Sequence, residues 1–171
     1  MSLKEVGDSF FNEDMENFIK RQPYMSFVIL SGMIEFLGKC FSRRNDFQES
    51  NHSKGDYYDV INNLESLQKY KIFNEGDEKE KRNHMYKELR CGMVHALLPK
   101  TKIKLTSTDN ELRNYTIGAR ELYSDIKNAW EEIYENDDIK TYIDNTIAIE
   151  VYDKVSDVTA SNSSVSASTI Q

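Results

Sequence analysis

The stretch Tyr24–Phe41 constrains the fold most, because its apolar residues recur at helical spacing on nearly every side. One row of apolar residues, at alternating spacings of three and four, comprises Phe27, Leu30, Ile34, Leu37 and Phe41, and the adjacent row comprises Ile29, Met33, Phe36 and Cys40. A helix with so narrow a polar strip has to be surrounded by other elements. The sequence therefore predicts a central helix in a helical bundle.

Long helices are easy for this chain, because its 171 residues include only two prolines, Pro23 and Pro99, and seven glycines. The length and the 39% of apolar residues suit one core of ordinary size. We therefore predict an all-α protein, a four- to six-helix bundle of up-and-down topology. A single domain is expected over residues 1–157, followed by a disordered Ser-rich tail over 158–171.

The other helices are predicted from periodicity and from capping residues. They cover Glu13–Arg21, Asp56–Ile72, Lys81–Leu98, Thr116–Tyr134 and Asp138–Tyr152, with Asn12 and Asp56 as N-caps of the first two. The polar segment Arg43–Gly55 reads as a loop. Ile103 and Leu105 alternate with polar residues, which predicts a short strand or a β-hairpin after Pro99.

The net charge of −7 is concentrated near the C-terminal end. Glu131–Asp157 holds nine acids and two bases, which leaves 20 acids and 20 bases elsewhere. A broad basic face for nucleic acid is not expected, but a local cationic pocket remains open as an alternative.

The cysteines and the N-terminal residues predict a cytoplasmic protein without a membrane span. Cys40 and Cys91 lie in apolar surroundings, which is typical of reduced thiols. Met1–Asp8 shows no basic region followed by an apolar run, and the apolar run in Met25–Phe41 is interrupted by polar residues. The three histidines show no ligand spacing with the cysteines, so no metal and no cofactor is expected.

The helix predicted at Lys81–Leu98 is the candidate functional element, because it carries both a guanidinium and an imidazole. Its core stripe comprises Met85, Tyr86, Leu89, Met93, Ala96 and Leu97, and its opposite side comprises Arg90, Val94, Leu98, Cys91 and His95. A second subunit is the simplest partner for that opposite side, since a twofold contact brings two Arg and two His into one cleft. Gly92 is unfavourable in a helix interior and indicates close approach by another backbone or a ligand, unless it is merely tolerated.

Arg90, four intervening residues and His95, late in a helix that Pro99 ends, resemble the Arg-x(4–6)-His motif of the HEPN superfamily. The resemblance covers roughly Met25 to Tyr134, including Glu35 on the central helix. It implies a dimeric helical bundle with a composite site at the interface, and for many members it implies metal-independent ribonuclease activity. The chain departs from the family at Cys91, where nuclease members carry Asn, Asp or His. It also has Leu97 where members paired with a nucleotidyltransferase carry Tyr.

The resemblance implies that Arg90 and His95 are catalytic. His95 would take the proton of a ribose 2′-hydroxyl, Arg90 would stabilise charge on the phosphate, and the product would be a 2′,3′-cyclic phosphate. The predicted substrate-binding residues are Lys87, Lys100 and Lys102, which position flanking phosphates, together with Cys91 and Glu35. The expected partners are a second copy of the chain, RNA or a nucleotide, and an antitoxin-like protein.

Three other interpretations of these residues remain open. Arg90 can be structural and pair with a carboxylate such as Glu35 or Glu88, with His95 a packed or surface residue. Cys91 can be a nucleophile, although no orienting acid is evident beside it in the sequence. The protein can also be a non-catalytic member that keeps the motif to bind a nucleotide, RNA or a protein.

Overall fold

The structure is a computed structural model that describes residues 2–45, 47, 51–74, 85–96, 103–107 and 116–147. Its helices are α1 (Leu3–Ser9), α2 (Glu13–Arg21), α3 (Pro23–Phe41), α4 (Ser53–Asn63), a 3₁₀-helix (Glu65–Asn74), a π-helical turn (Met85–Arg90), α5 (Cys91–Ala96), α6 (Ala119–Glu135) and α7 (Asp137–Asn145). Two short strands, β1 (Lys104–Thr106) and β2 (Thr116–Gly118), complete the described part. The all-α prediction is confirmed at the level of class.

The two helices with the clearest sequence patterns lie where they were predicted. α2 spans Glu13–Arg21, and the side chain of Asn12 accepts a hydrogen bond from the backbone N–H of Met15. α3 starts one residue earlier than expected, with Pro23 in its first turn, where proline's missing N–H costs nothing. Six of the twelve apolar side chains of α3 are buried and three more are half-buried, and α3 contacts α2, α4, α5, α6 and α7. It is the central helix.

α3 is also the one helix among the described residues that is long and apolar enough to cross a bilayer. Its mean hydropathy is 1.4 over an 18-residue window, of which 56% is buried against the rest of the protein. Length and composition do not distinguish a core helix from a membrane span. The expected absence of a membrane partner and the cytoplasmic location therefore stay predictions.

α4 packs closely along the second half of α3. Ser53 contacts Glu35, the backbone of Asp56 touches Gly38, and Asp59 approaches Ser42, so the contacts advance in the same direction along both helices. α3 and α4 therefore run parallel to each other, whereas an up-and-down bundle predicts antiparallel consecutive helices.

The prediction that Asp56 caps the N-terminus of this helix is wrong. Asp56 lies inside α4 and is fully buried. Its Oδ1 accepts a hydrogen bond from Nε of Arg44 at 2.9 Å and lies 2.8 Å from Nη2 of the same guanidinium. An ion pair to the preceding loop competes with capping for this carboxylate, and the helix begins three residues earlier.

The single helix predicted at Asp56–Ile72 is divided at Leu64. Leu64 has an extended backbone, and a 3₁₀-helix follows it. The Glu132 side chain on α6 accepts hydrogen bonds from the backbone N–H groups of Glu65 and Ser66 and from the Ser66 hydroxyl. Because Glu132 lies 66 residues away from Ser66, no local pattern could indicate this interruption.

Of the two alternatives predicted after Pro99, the short strand is confirmed by β1, whereas the β-hairpin is wrong in topology. β1 and β2 pair in parallel, with Leu105 opposite Ile117, whereas the strands of a hairpin are antiparallel. Thr116–Gly118 was predicted as the start of a helix and forms β2, so α6 begins at Ala119. α7 confirms the start of the last predicted helix to within one residue, but the predicted end at Tyr152 is wrong, because the helix ends at Asn145 and Thr146 is extended. Residues 148–171, including the predicted tail, lie outside the described residues.

Candidate functional site

The motif segment is a π-helical turn that runs directly into α5. Met85, Leu89 and Met93 are fully buried, whereas Val94 and His95 are exposed, as the two predicted faces require. Tyr86, predicted on the core stripe, is only half-buried. The π turn explains this difference, because its i→i+5 hydrogen bonds widen the helix and rotate residues relative to a regular α-helical wheel.

Arg90 is held in place by the central helix. Its Nε donates to Oε2 of Glu35 at 2.8 Å, and the side chains of Arg90 and Glu35 are 22% and 12% exposed. The other oxygen of Glu35 accepts from the Ser53 hydroxyl at 2.6 Å, with Nζ of Lys39 3.9 Å away. The guanidinium carbon also lies 5.7 Å from the centre of the Tyr86 ring. A carboxylate and an aromatic face thus fix one edge and one face of the guanidinium.

The pKa of Arg90 is raised by its surroundings. Burial alone would lower it, but the hydrogen bond and the negative charge of Glu35 raise the pKa above its ordinary value. Arg90 therefore keeps its full positive charge, which is the state that binds phosphate.

Tyr57 lies fully buried beside this ion pair. Its ring meets the Tyr86 ring edge-to-face at 5.4 Å, and its hydroxyl has no hydrogen-bond partner within the described residues. Burial raises the pKa of Tyr57, and the charge of Glu35 raises it further, so the hydroxyl stays protonated. Burial likewise raises the pKa of Tyr86. The two tyrosines therefore add no charge to the wall behind Arg90.

His95 stands on the exposed side of α5. It makes no hydrogen bond or ion pair with any residue that the structure describes. Five residues of α-helix separate two side chains by about 7.5 Å along the axis and by about 140° around it. Arg90 and His95 therefore flank, rather than touch, the surface that contains Val94.

Of the other predicted site residues, three are described by the structure and two are not. Lys87 is exposed on the π turn, and Cys91 is a half-buried free thiol beside Arg90. Glu35 is at the site, where it pairs with Arg90, as the structural interpretation of Arg90 predicts. Lys100 and Lys102 lie outside the described residues. The buried carboxylate of Glu88 does not pair with Arg90, and one of its oxygens has no partner in the described part of the chain.

Sequence reasoning missed Ser53, Tyr57 and Tyr86 as members of the site. Ser53 had been assigned to a loop, although Ser53 and Asp56 form the Ser-x-x-Asp pattern of a helix start. The two tyrosines carried no signal beyond helical periodicity. Their role follows from the packing of α4 on the π turn, which is a contact between distant segments.

The comparisons with known proteins add no relative to this geometry. No family model matches the chain, and neither the curated proteins nor the solved structures give a match. Across the residues that the structure describes, no group of three or more His, Cys, Asp or Glu side chains is placed to hold a metal ion.

Proposed function

We propose that this chain is a HEPN-like, metal-independent endoribonuclease whose site, built on Arg90 and His95, lies at the interface of a homodimer. The observation that carries the proposal is the presentation of Arg90. Glu35 accepts a hydrogen bond from Nε of the guanidinium, and no other described residue hydrogen-bonds to the Arg90 side chain, so within the described part of the chain the Nη1–Nη2 edge is left for two oxygens of a phosphate. His95 is exposed on the same motif helix.

The reaction needs only these two kinds of side chain. The His95 imidazole accepts the proton of a ribose 2′-hydroxyl, and the 2′-oxygen forms a bond to the adjacent phosphorus as the bond to the 5′-oxygen breaks. Arg90 stabilises the negative charge that grows on the non-bridging oxygens. A protonated imidazole returns a proton to the 5′-oxygen, which leaves a 2′,3′-cyclic phosphate and a 5′-hydroxyl.

Dimerisation is supported by where the exposed large apolar residues lie. Tyr24, Met25 and Ile29 are on the outer side of α3, and Val94 lies between Arg90 and His95 on α5, which α3 contacts. Ile29 is 37% and Val94 44% exposed. Burying such side chains against a second copy is favourable and brings two motif helices together.

Ile29→Asp is expected to convert the dimer to a monomer, because it places a charge in the contact. Ile147→Asp is the matched control, since Ile147 is 62% exposed and bridges Ser2 before α1 instead of lying on α3 or α5. Sedimentation equilibrium measures both. A wild-type protein that is monomeric, or an Ile29→Asp variant that stays dimeric, contradicts this interface.

The nuclease proposal is tested by incubating the purified wild-type protein with mixed RNA, with and without a chelator. We expect equal cleavage in both, and 3′ fragment ends that are cyclic phosphates. Cleavage abolished by the chelator, or products with 3′-hydroxyl ends, contradicts the proposed chemistry.

A non-catalytic nucleotide-, RNA- or protein-binding module is the second candidate. It is favoured by the occupied Nε of Arg90 and by Cys91, which stands where nuclease members have a polar side chain. Wild-type inactivity with retained nucleotide binding supports this module. Neither cleavage nor binding supports a purely structural role. An antitoxin-like partner stays a prediction in either case.

A further inference from the structure

A small cleft between α2 and α6 is lined by several positively charged side chains, none of which belongs to the motif helix. It has a volume of about 250 Å³, and its walls include Lys20 from α2 and Arg120 and Lys127 from α6. Glu16 is the one acid among its lining residues, so the cleft carries a formal charge of +2 in a chain of −7. Three cations and a single acid give this cleft a local excess of positive charge.

These cations are not used to hold the fold. None of Lys20, Arg120 and Lys127 makes an ion pair with another described residue, whereas Lys69 on the neighbouring 3₁₀-helix pairs with both Glu121 and Asp125. The acids Glu121 and Asp125 of α6 thus pair with Lys69 and not with the cations of the cleft. The cations are spread over two helices, so the cleft is fixed by the α2–α6 contact.

The position of Arg120 favours the binding of an anion at this end of α6. Arg120 lies in the first turn of the 17-residue α6, at the positive end of the helix dipole. The N-cap is Gly118, which supplies no side-chain cap to the first N–H groups. Glu121 is the acid of the same turn, but its carboxylate pairs with Lys69. A bound anion would therefore offset the positive charge that Arg120 adds to the N-terminus of α6.

The remaining lining residues suit a phosphate on a ribose. Ile19 and Tyr123 are buried and form an apolar floor, and Ser124 offers an exposed hydroxyl. Arg120, Ser124 and Lys127 follow one another at spacings of four and three and therefore share one face of α6. The volume fits a phosphate and part of a sugar better than a whole nucleotide.

We propose that the cleft of Lys20, Arg120 and Lys127 is a phosphate-binding site, which takes a backbone phosphate of RNA that the motif helix cleaves. The RNA source rests on the proposed function, whereas phosphate binding itself does not. A free nucleotide supplies the same chemistry, and the experiment separates the two sources.

The test uses the full chain and two probes. One is inorganic pyrophosphate, followed by calorimetry, and the other is a labelled 12-nucleotide 2′-O-methyl RNA, which lacks the attacking hydroxyl, followed by anisotropy over a salt series. The variant is Lys20→Ala with Arg120→Ala. Its matched control is Arg21→Ala with Lys140→Ala, two exposed cations outside the cleft. Thermal melting checks that both variants fold.

We expect the cleft variant to bind the RNA about tenfold more weakly, and to lower the slope of log affinity against log salt by about 1.4, while the control shifts affinity less than twofold. With unmodified RNA at saturating concentration, where weaker binding no longer limits the rate, the variant is expected to cleave at the wild-type rate. If the wild type binds pyrophosphate but does not bind the RNA, the phosphate site is supported and its ligand is a free nucleotide. The same result counts against the ribonuclease proposal. Equal losses in variant and control, or no binding of either probe by the wild type, overturn the proposal.

Discussion

His95→Ala is expected to lower the rate of RNA cleavage about a thousandfold, which is the usual loss when a positioned acid–base group is removed. Stability is expected to change little, because the His95 side chain is exposed and makes no hydrogen bond or ion pair within the described residues. The measurement is a single-turnover rate on a labelled RNA, with the free energy of unfolding from a urea titration beside it. A rate loss without a stability loss separates a catalytic role from a structural one.

His52→Ala is the matched control, because His52 is an exposed histidine that makes no side-chain capping hydrogen bond at the start of α4. Its cleavage rate is expected to equal that of the wild type. Wild-type activity in His95→Ala contradicts the assignment of His95. Equal losses in the two variants indicate a general effect of removing an imidazole.

Arg90 requires a different design, since its removal also takes away the guanidinium that pairs with Glu35. Arg90→Lys keeps a positive charge near Glu35 but loses the planar edge that binds two phosphate oxygens. We expect it to cleave about a hundredfold more slowly than the wild type while losing less stability than Arg90→Ala. Wild-type rates in both Arg90 variants contradict a catalytic guanidinium and favour the structural ion pair.

Sequence reasoning succeeded where burial and helical periodicity coincide. α2 has its predicted bounds, and α3 is central because apolar residues on most sides leave no favourable solvent-exposed orientation. The two faces of the motif helix also hold, since Met93 is buried and Val94 exposed. In each case a local pattern and the final packing call for the same structure.

The failures occur where a distant residue decides the local structure. Glu132 divides the predicted third helix, and Arg44 takes the carboxylate that would otherwise cap α4. The parallel pairing of β1 and β2 depends on two segments that meet only in the folded chain. For the candidate site, Arg90 and His95 came from the motif, whereas the Glu35–Ser53 support came from the packing of α4 on α3.

α1 was missed for a related reason. Ser2 and Glu5 form a capping box in which each side chain accepts a hydrogen bond from the other residue's backbone N–H. The helix is short, and its periodicity is weak without its neighbours. It is anchored by Gly7, where a Cβ would lie 2.4 Å from the Trp130 ring, and by the hydrogen bond from Trp130 to Asp8.

Gly38→Ala is expected to lower the free energy of unfolding by about 3 kcal/mol, at the upper end of the cost of overpacking. A Cβ at position 38 would lie 2.2 Å from the carbonyl oxygen and 2.5 Å from the carbonyl carbon of Asp56. Because those atoms are backbone, α4 itself has to move. That movement strains the Asp56–Arg44 pair and the Ser53–Glu35 hydrogen bond.

Gly55→Ala is the control for the effect of Gly38→Ala, because Gly55 lies in α4 and a Cβ there meets nothing within 4 Å. It is expected to stabilise the protein by up to about 1 kcal/mol through helix propensity. Urea denaturation measures both variants. An unchanged midpoint in Gly38→Ala would show that α4 can shift where Asp56 contacts Gly38. Ser53 and Glu35 would then hold Arg90 less rigidly than the close contact of α3 and α4 implies. A lower midpoint together with slower cleavage at a temperature where the variant is folded would show instead that the fit between these two helices sets the position of the guanidinium.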